Sequence, residues 1–242
     1  IVGERSYGKG LVQQTKELEF GSMVKLTVAK YYTPSGRCIQ KIDYSHKDEN
    51  GQVTEVPDSL IATFTTTNGR VVKDGRGVDP DIVIKPEYYS ILTKELIIEH
   101  HVFNFATEFE RSHPEIVNAK DFRLSDADYQ SFLDFLKDKE IDYTTTSKKM
   151  LEDLMQTAED EKYLSDSQEE FDALLEKLTH NLVTDLVRYK SEITELIENE
   201  IVSRYYYSQG RVENALAKDD YLAEALKVLN NSEQYNKILS GK

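Results

Sequence analysis

A chain of 242 residues can form one large domain or two smaller ones, and 39% hydrophobic residues with 10% aromatics supply a real core, which excludes an intrinsically disordered protein. The formal charge is -14, and all of it lies beyond residue 95: residues 1–95 carry 13 Lys/Arg and 13 Asp/Glu, the rest 17 and 31. An acidic half offers no cationic surface to nucleic acid or to an anionic membrane.

Cys38 is the only cysteine, so an intrachain disulfide is excluded while the compartment stays open. No run of eighteen apolar residues and no signal peptide is present. The chain opens at Ile1-Val2-Gly3 as if within a strand, which reads as a cleavage boundary rather than a natural beginning.

Residues 1–86 read as β-rich. Lys25 to Tyr31 alternates polar and apolar positions, the pattern of a strand with one buried face, and Pro34-Ser35-Gly36 turns the chain after it. Residues 42–58 are polar and hold Asn50-Gly51, a solvent-facing excursion or irregular hairpin. Leu60 to Thr66 resumes β character, and Asn68-Gly69 supplies two positive-φ positions for a tight hairpin into Arg70-Val71-Val72. Ile82-Val83-Ile84 is a short strand ended by Pro86.

From about Tyr88 the pattern is helical. Leu92, Leu96, Phe103 and Phe109 form an apolar stripe that Pro114 ends. Ser125 with Asp128 has capping-box spacing, and Ser165 with Gln168 repeats it. Leu186 to Tyr205 is a long helix, which Gly210 separates from shorter helices near 211–217 and 220–229, with a last one near 232–239. Most aromatic and leucine positions here read as core. The three tyrosines Tyr205, Tyr206 and Tyr207 cannot all point one way, so at least one meets the surface. The expected division is therefore 1–86 and an acidic helical domain, 87–242.

The densest local signal is Gly3 to Gln13. Gly3, Gly8 and Lys9 fit the first part of a phosphate loop, but Gly10 stands where Ser or Thr must hold magnesium, and the following residues are β-like rather than helical. The other reading is a lysine between two glycines, whose backbone can be approached closely and whose amine, once buried, can act as a general base. Gln13 is four residues on, on the same face if the chain is extended, and can orient that amine.

Arg5-Ser6-Tyr7-Gly8-Lys9-Gly10-Leu11-Val12-Gln13 closely resembles the lysine motif of the carboxyl-terminal processing proteases, the S41 tail-specific serine peptidases. Leu26 to Arg37, Ile39-Gln40 and Gly77 to Ile82 resemble the same family in the same order. Arg204-Tyr205-Tyr206-Tyr207 and Gly210 resemble, more loosely, the extra C-terminal region of Bacteroides-type members. The resemblance implies an α+β chain: the C-terminal part of a crotonase-like or ClpP-like α/β protease core, followed by an acidic all-helical domain. It implies a Ser-Lys endopeptidase that cleaves proteins near unstructured or exposed C-termini, with Lys9 as general base and Gln13 as the residue that positions it. Tyr31, Tyr32 and Thr33 fall where substrate backbone is expected, although a core strand with an ordinary turn explains them equally.

The family serine, its oxyanion-hole glycine and the PDZ domain all precede the lysine motif and match nothing in this chain; Ser6 belongs to the motif itself. The chain alone is expected to be inactive. No metal and no cofactor is implied: His46, His100, His101, His113 and His180 show no ligand spacing, and Cys38 lacks a partnered base. The resemblance places the protein in the bacterial periplasm or at the inner membrane, with a homo-oligomer or a lipoprotein adaptor as possible partners and no nucleic acid. The alternative is a non-catalytic peptide-binding or scaffold protein whose acidic helices dock an adaptor.

Overall fold

The computed structural model describes residues 1–179 and 181–240, so His180 lies outside the described residues. The chain forms two compact units, Ile1–Pro86 together with Asp219–Lys242, and Glu87–Lys218. A mixed α+β N-terminal region is thus followed by an all-helical one, and the last two helices, which composition alone joins to the helical domain, group with the first 86 residues.

Among the described residues, the first unit is built from four two-stranded ladders. Strands β1 (Val2–Gly3) and β8 (Ile82–Val83) pair in parallel; β2 (Leu11–Glu17) and β3 (Met23–Lys30) form the longest antiparallel hairpin. Strands β4 (Ile42–Lys47) and β5 (Val53–Glu55) form the irregular hairpin expected around Asn50-Gly51, with Gly51 at φ 75°. In the hairpin of β6 (Thr63–Thr65) and β7 (Val71–Lys73), Gly69 takes positive φ and Asn68 does not. The loop is therefore wider than the two-residue turn its dipeptide suggests, closed by the Thr66 N–H donating to Arg70 O at 2.8 Å. The one buried face expected of Lys25–Tyr31 is absent: Leu26 and Val28 are exposed, as are nearly all residues of β2 and β3.

Among the described residues this unit also holds the helices α8 (Asp220–Asn230) and α9 (Ser232–Ser240). The Tyr221 ring of α8 lies over Gly3, where an added Cβ would come within 3.2 Å of it.

The second unit holds α1 (Ile91–Ile98), α2 (His101–Ser112), α3 (Asp126–Leu136), α4 (Thr146–Asp160), α5 (Gln168–Leu178), α6 (Leu182–Arg188) and α7 (Lys190–Leu216). Its core brings Leu92 and Leu96 together with Phe105, Phe132, Ile193 and Ile197, all buried, and Phe105 meets Phe132 edge-on at 5.1 Å. Phe103, read as part of that stripe, is exposed instead and carries the Arg204 guanidinium over its ring at 4.6 Å. Ser125 and Asp128 form the full capping box of α3. Ser165 does not repeat it: residues 164–166 are a 3₁₀ turn, and Ser167 precedes α5 without a side-chain cap.

The long helix is interrupted in two places that periodicity does not reveal. Tyr189 separates α6 from α7, and Tyr207, at φ 56° and ψ -155°, breaks the regular geometry of α7 while Gly210 continues within it. Of the three tyrosines, Tyr205 donates to His113 O at 2.5 Å and Tyr206 to Ile116 O at 3.2 Å, whereas Tyr207 is 76% exposed.

Candidate active site

The lysine motif crosses from β1 into β2 as an extended segment clamped on both sides. The Lys41 N–H donates to Gly8 O at 2.8 Å, and the Tyr31 N–H donates to Gly10 O at 3.0 Å. The Gly10 N–H donates to the side-chain oxygen of Gln40 at 2.8 Å, and the Tyr31 hydroxyl donates to Lys9 O at 2.6 Å. The two glycines are required by this approach. A Cβ at Gly8, which sits at φ 80°, would lie 2.7 Å from Lys41 Cβ, and one at Gly10 would lie 2.8 Å from the Gln40 nitrogen.

Lys9 projects from this clamp, and its ammonium donates to Gln13 Oε1 at 3.3 Å. The expectation of a buried lysine is corrected: Lys9 is exposed, so the glycines anchor its backbone and do not desolvate its amine. Gln13 owes its direction to a bulge in the β2–β3 ladder. Val12 pairs with Ala29 but Gln13 pairs with Thr27, so Val28 is the extra residue on β3. The bulge sets Gln13 opposite Thr27, whose hydroxyl accepts from Gln13 Nε2 at 3.5 Å. Lys9, Gln13 and Thr27 form one line of polar side chains.

The structure distributes the other three candidates unevenly. The Tyr31 hydroxyl is turned to the lysine peptide, and the Thr33 hydroxyl lies 3.0 Å from Ser35 Oγ within the turn. Tyr32 stands 63% exposed. A groove of about 520 Å³ opens beside the site, lined by Leu11, Thr27, Lys30, Cys38, Gln40 and His46 among others. Within it His46 Nδ1 lies 2.6 Å from Asp43 Oδ2, a pair that holds the Asp43 carboxyl below its ordinary range. Among the described residues no group of three or more His, Cys, Asp or Glu side chains is placed to hold a metal ion.

Gln40 is the functional candidate that residue reasoning passed over. It stands thirty residues from Gly10 in sequence, in a loop whose only local signal is its place in a family-like Ile39-Gln40 pair.

Comparison with known proteins concerns residue ranges. The profile of the peptidase family S41 matches residues 1–48, which contain the whole clamp. A second profile, "Probable PDZ-protease, C-terminal helical domain", matches residues 92–229, more than half the chain. The chain belongs to the S41 carboxyl-terminal-processing peptidase family and carries its C-terminal helical domain region.

Among curated relatives, the chloroplastic C-terminal processing peptidase of Tetradesmus obliquus is 53% identical over 45 residues, 19% of this chain and 10% of that protein. Carboxy-terminal processing protease CtpA of Bacillus subtilis is 54% identical over 41 residues, 17% of this chain and 9% of the relative. Carboxyl-terminal-processing peptidase 1, chloroplastic, of Arabidopsis thaliana is 47% identical over 51 residues, 21% and 8% of the two chains. The matched stretches thus span about a tenth of these relatives. No solved structure matches the chain.

Proposed function

We propose that this chain is the C-terminal portion of a Ser-Lys endopeptidase that cleaves proteins near unstructured C-termini, with Lys9 as its general base. The observation that carries the reading is the Lys9–Gln13 contact of 3.3 Å, made by a lysine whose flanking peptides are clamped by Tyr31, Gln40 and Lys41. A backbone held on both sides and an amine directed by Gln13 suit a positioned general base.

The nucleophile is a serine outside this chain. As its oxygen bonds to the scissile carbonyl carbon, its proton passes to the Lys9 amine; the proton then goes to the leaving nitrogen as the C–N bond breaks. Water next attacks the ester and frees the serine, and backbone N–H groups outside this chain hold the oxyanion. Gln13, steadied by Thr27, fixes the amine. Tyr32, with Tyr31 and Thr33, borders the substrate path. The uncovered face of β2 and β3 suits the remaining strands of a crotonase-like or ClpP-like core. We place the enzyme in the bacterial cell envelope, with a Bacteroides-type helical region that engages a second protomer or a lipoprotein adaptor.

The test is hydrolysis of an unstructured protein by the full-length enzyme. Lys9→Ala is expected to abolish it without changing the melting temperature, and Gln13→Ala to slow it less. Wild-type turnover in Lys9→Ala overturns the assignment. A folded, inactive wild type that retains peptide affinity favours the scaffold reading.

A further inference from the structure

We infer that Gln40 is a positioning residue for Lys9, an inference that rests on the general-base reading above. Its side chain bridges two backbones. The oxygen accepts from the Gly10 N–H at 2.8 Å, and the amide nitrogen donates to Ile42 O at 2.8 Å. The carboxamide is partly buried, and both its ends are used, so its plane is fixed.

This bridge closes the clamp around Lys9. Four contacts surround that residue: Lys41 N–H on Gly8 O, Tyr31 hydroxyl on Lys9 O, Gln40 oxygen on the Gly10 N–H, and Tyr31 N–H on Gly10 O. Three of the four involve main chain on both sides or a hydroxyl at the lysine itself. Two side chains hold the peptide after Lys9, the Tyr31 hydroxyl at its carbonyl and Gln40 at its N–H, and Gln40 also ties that peptide to the strand start at Ile42. A Cβ at Gly10 would also meet Gln40 Cβ at 3.1 Å, so the two residues define one packing surface.

The functional consequence follows from reach. The Lys9 amine sits at the end of a four-carbon stem and makes one 3.3 Å contact, so its position is set chiefly by where its backbone is held. Releasing the Gly10 peptide lets the Cα of Lys9 move relative to Gln13, and a displacement of the order of 1 Å costs about a hundredfold in rate. The hydrogen bonds of the Gln40 side chain go to Gly10 and Ile42, so the effect is expected in the rate rather than in substrate affinity.

The experiment compares Gln40→Leu and Gln40→Glu in the full-length enzyme, with Lys9→Ala alongside. Gln40→Leu loses both bonds, and its kcat is expected to fall about ten- to a hundredfold with KM within twofold of wild type. Gln40→Glu keeps the acceptor for Gly10 but opposes Ile42 O, so it should melt no higher than Gln40→Leu yet retain most of the rate. That split between rate and melting temperature is the signature of positioning. Wild-type kcat in Gln40→Leu, or rates that simply follow melting temperature in both variants, overturns the inference while leaving Lys9 as the base. Full activity in Lys9→Ala overturns both.

Discussion

Tyr221 donates its hydroxyl to Glu4 at 2.7 Å, joining positions 217 residues apart in the chain. The same ring covers Gly3, at φ 133° on β1, the strand that leads into the lysine motif. Helix α8 is therefore part of what holds the start of the candidate site. Tyr221→Phe keeps the ring and loses the exposed hydrogen bond to Glu4, which should cost under about 1 kcal/mol. Tyr221→Ala removes the ring as well and should cost about 2–3 kcal/mol, read as earlier urea unfolding of the first unit. Equal midpoints for the two variants would show that the ring does not matter.

Gly210 should reverse the usual helix rule. An exposed helical glycine replaced by alanine commonly gains about 0.5–1 kcal/mol. Here the new Cβ would sit 2.2 Å from the Tyr206 Cβ, and Tyr206 is held by its hydroxyl bonds to Ile116 O and Val117 O. Gly210→Ala is expected to destabilise the helical unit by about 1–3 kcal/mol in chemical denaturation.

Tyr207 offers the opposite sign nearby. Its φ of 56° with ψ -155° belongs to glycine, while its ring is exposed and has little packing to lose. Tyr207→Gly should raise stability by up to about 1 kcal/mol after the extra chain entropy of glycine is counted. A lower melting temperature would mean that the ring contributes more than the strain costs.

Glu198 is buried, with a side chain 2% exposed, and its two oxygens accept from the Leu124 N–H at 2.9 Å and from Lys218 at 2.8 Å. Removing the cation leaves a buried carboxylate. Lys218→Met should cost about 2–4 kcal/mol, toward the lower end because the lysine is partly exposed. Adding Glu198→Gln should recover much of that loss, and a double variant no better than Lys218→Met would refute the pairing.

His101 is 8% exposed, and among the described residues its Nε2 has no hydrogen-bond partner. Burial, then repulsion from Lys139, pushes its imidazole below the ordinary value, against a smaller pull from Glu99 and Glu95. The folded state therefore takes up this proton less readily than the unfolded one. Stability of the helical unit should be constant above the ordinary imidazole value of about 6.5 and fall as pH drops through it toward the lower folded value. His101→Leu should flatten the slope between about pH 7.5 and 5.5. An unchanged slope would assign the titration elsewhere.

Local chemistry is what the sequence determined by itself. The capping box of Ser125 and Asp128 spans three residues, the Lys9–Gln13 pair spans four, and the positive φ of Gly51 and Gly69 follows from the lack of a Cβ. The capping box and the glycine turns are settled within a few residues, so residue type and spacing reveal them; for Lys9 and Gln13 spacing gives only their nearness along the chain, and the clamp and the bulge set the contact. Tertiary structure decided everything that joins distant residues. It placed Gln40 on Gly10, inserted Val28 as a bulge so that Gln13 meets Thr27, and returned Tyr221 to Glu4. It also left both faces of the β2–β3 hairpin exposed, although the alternation in Lys25–Tyr31 promised one buried face. Periodicity states which side chains share a face, and only the packed neighbours determine whether that face is covered.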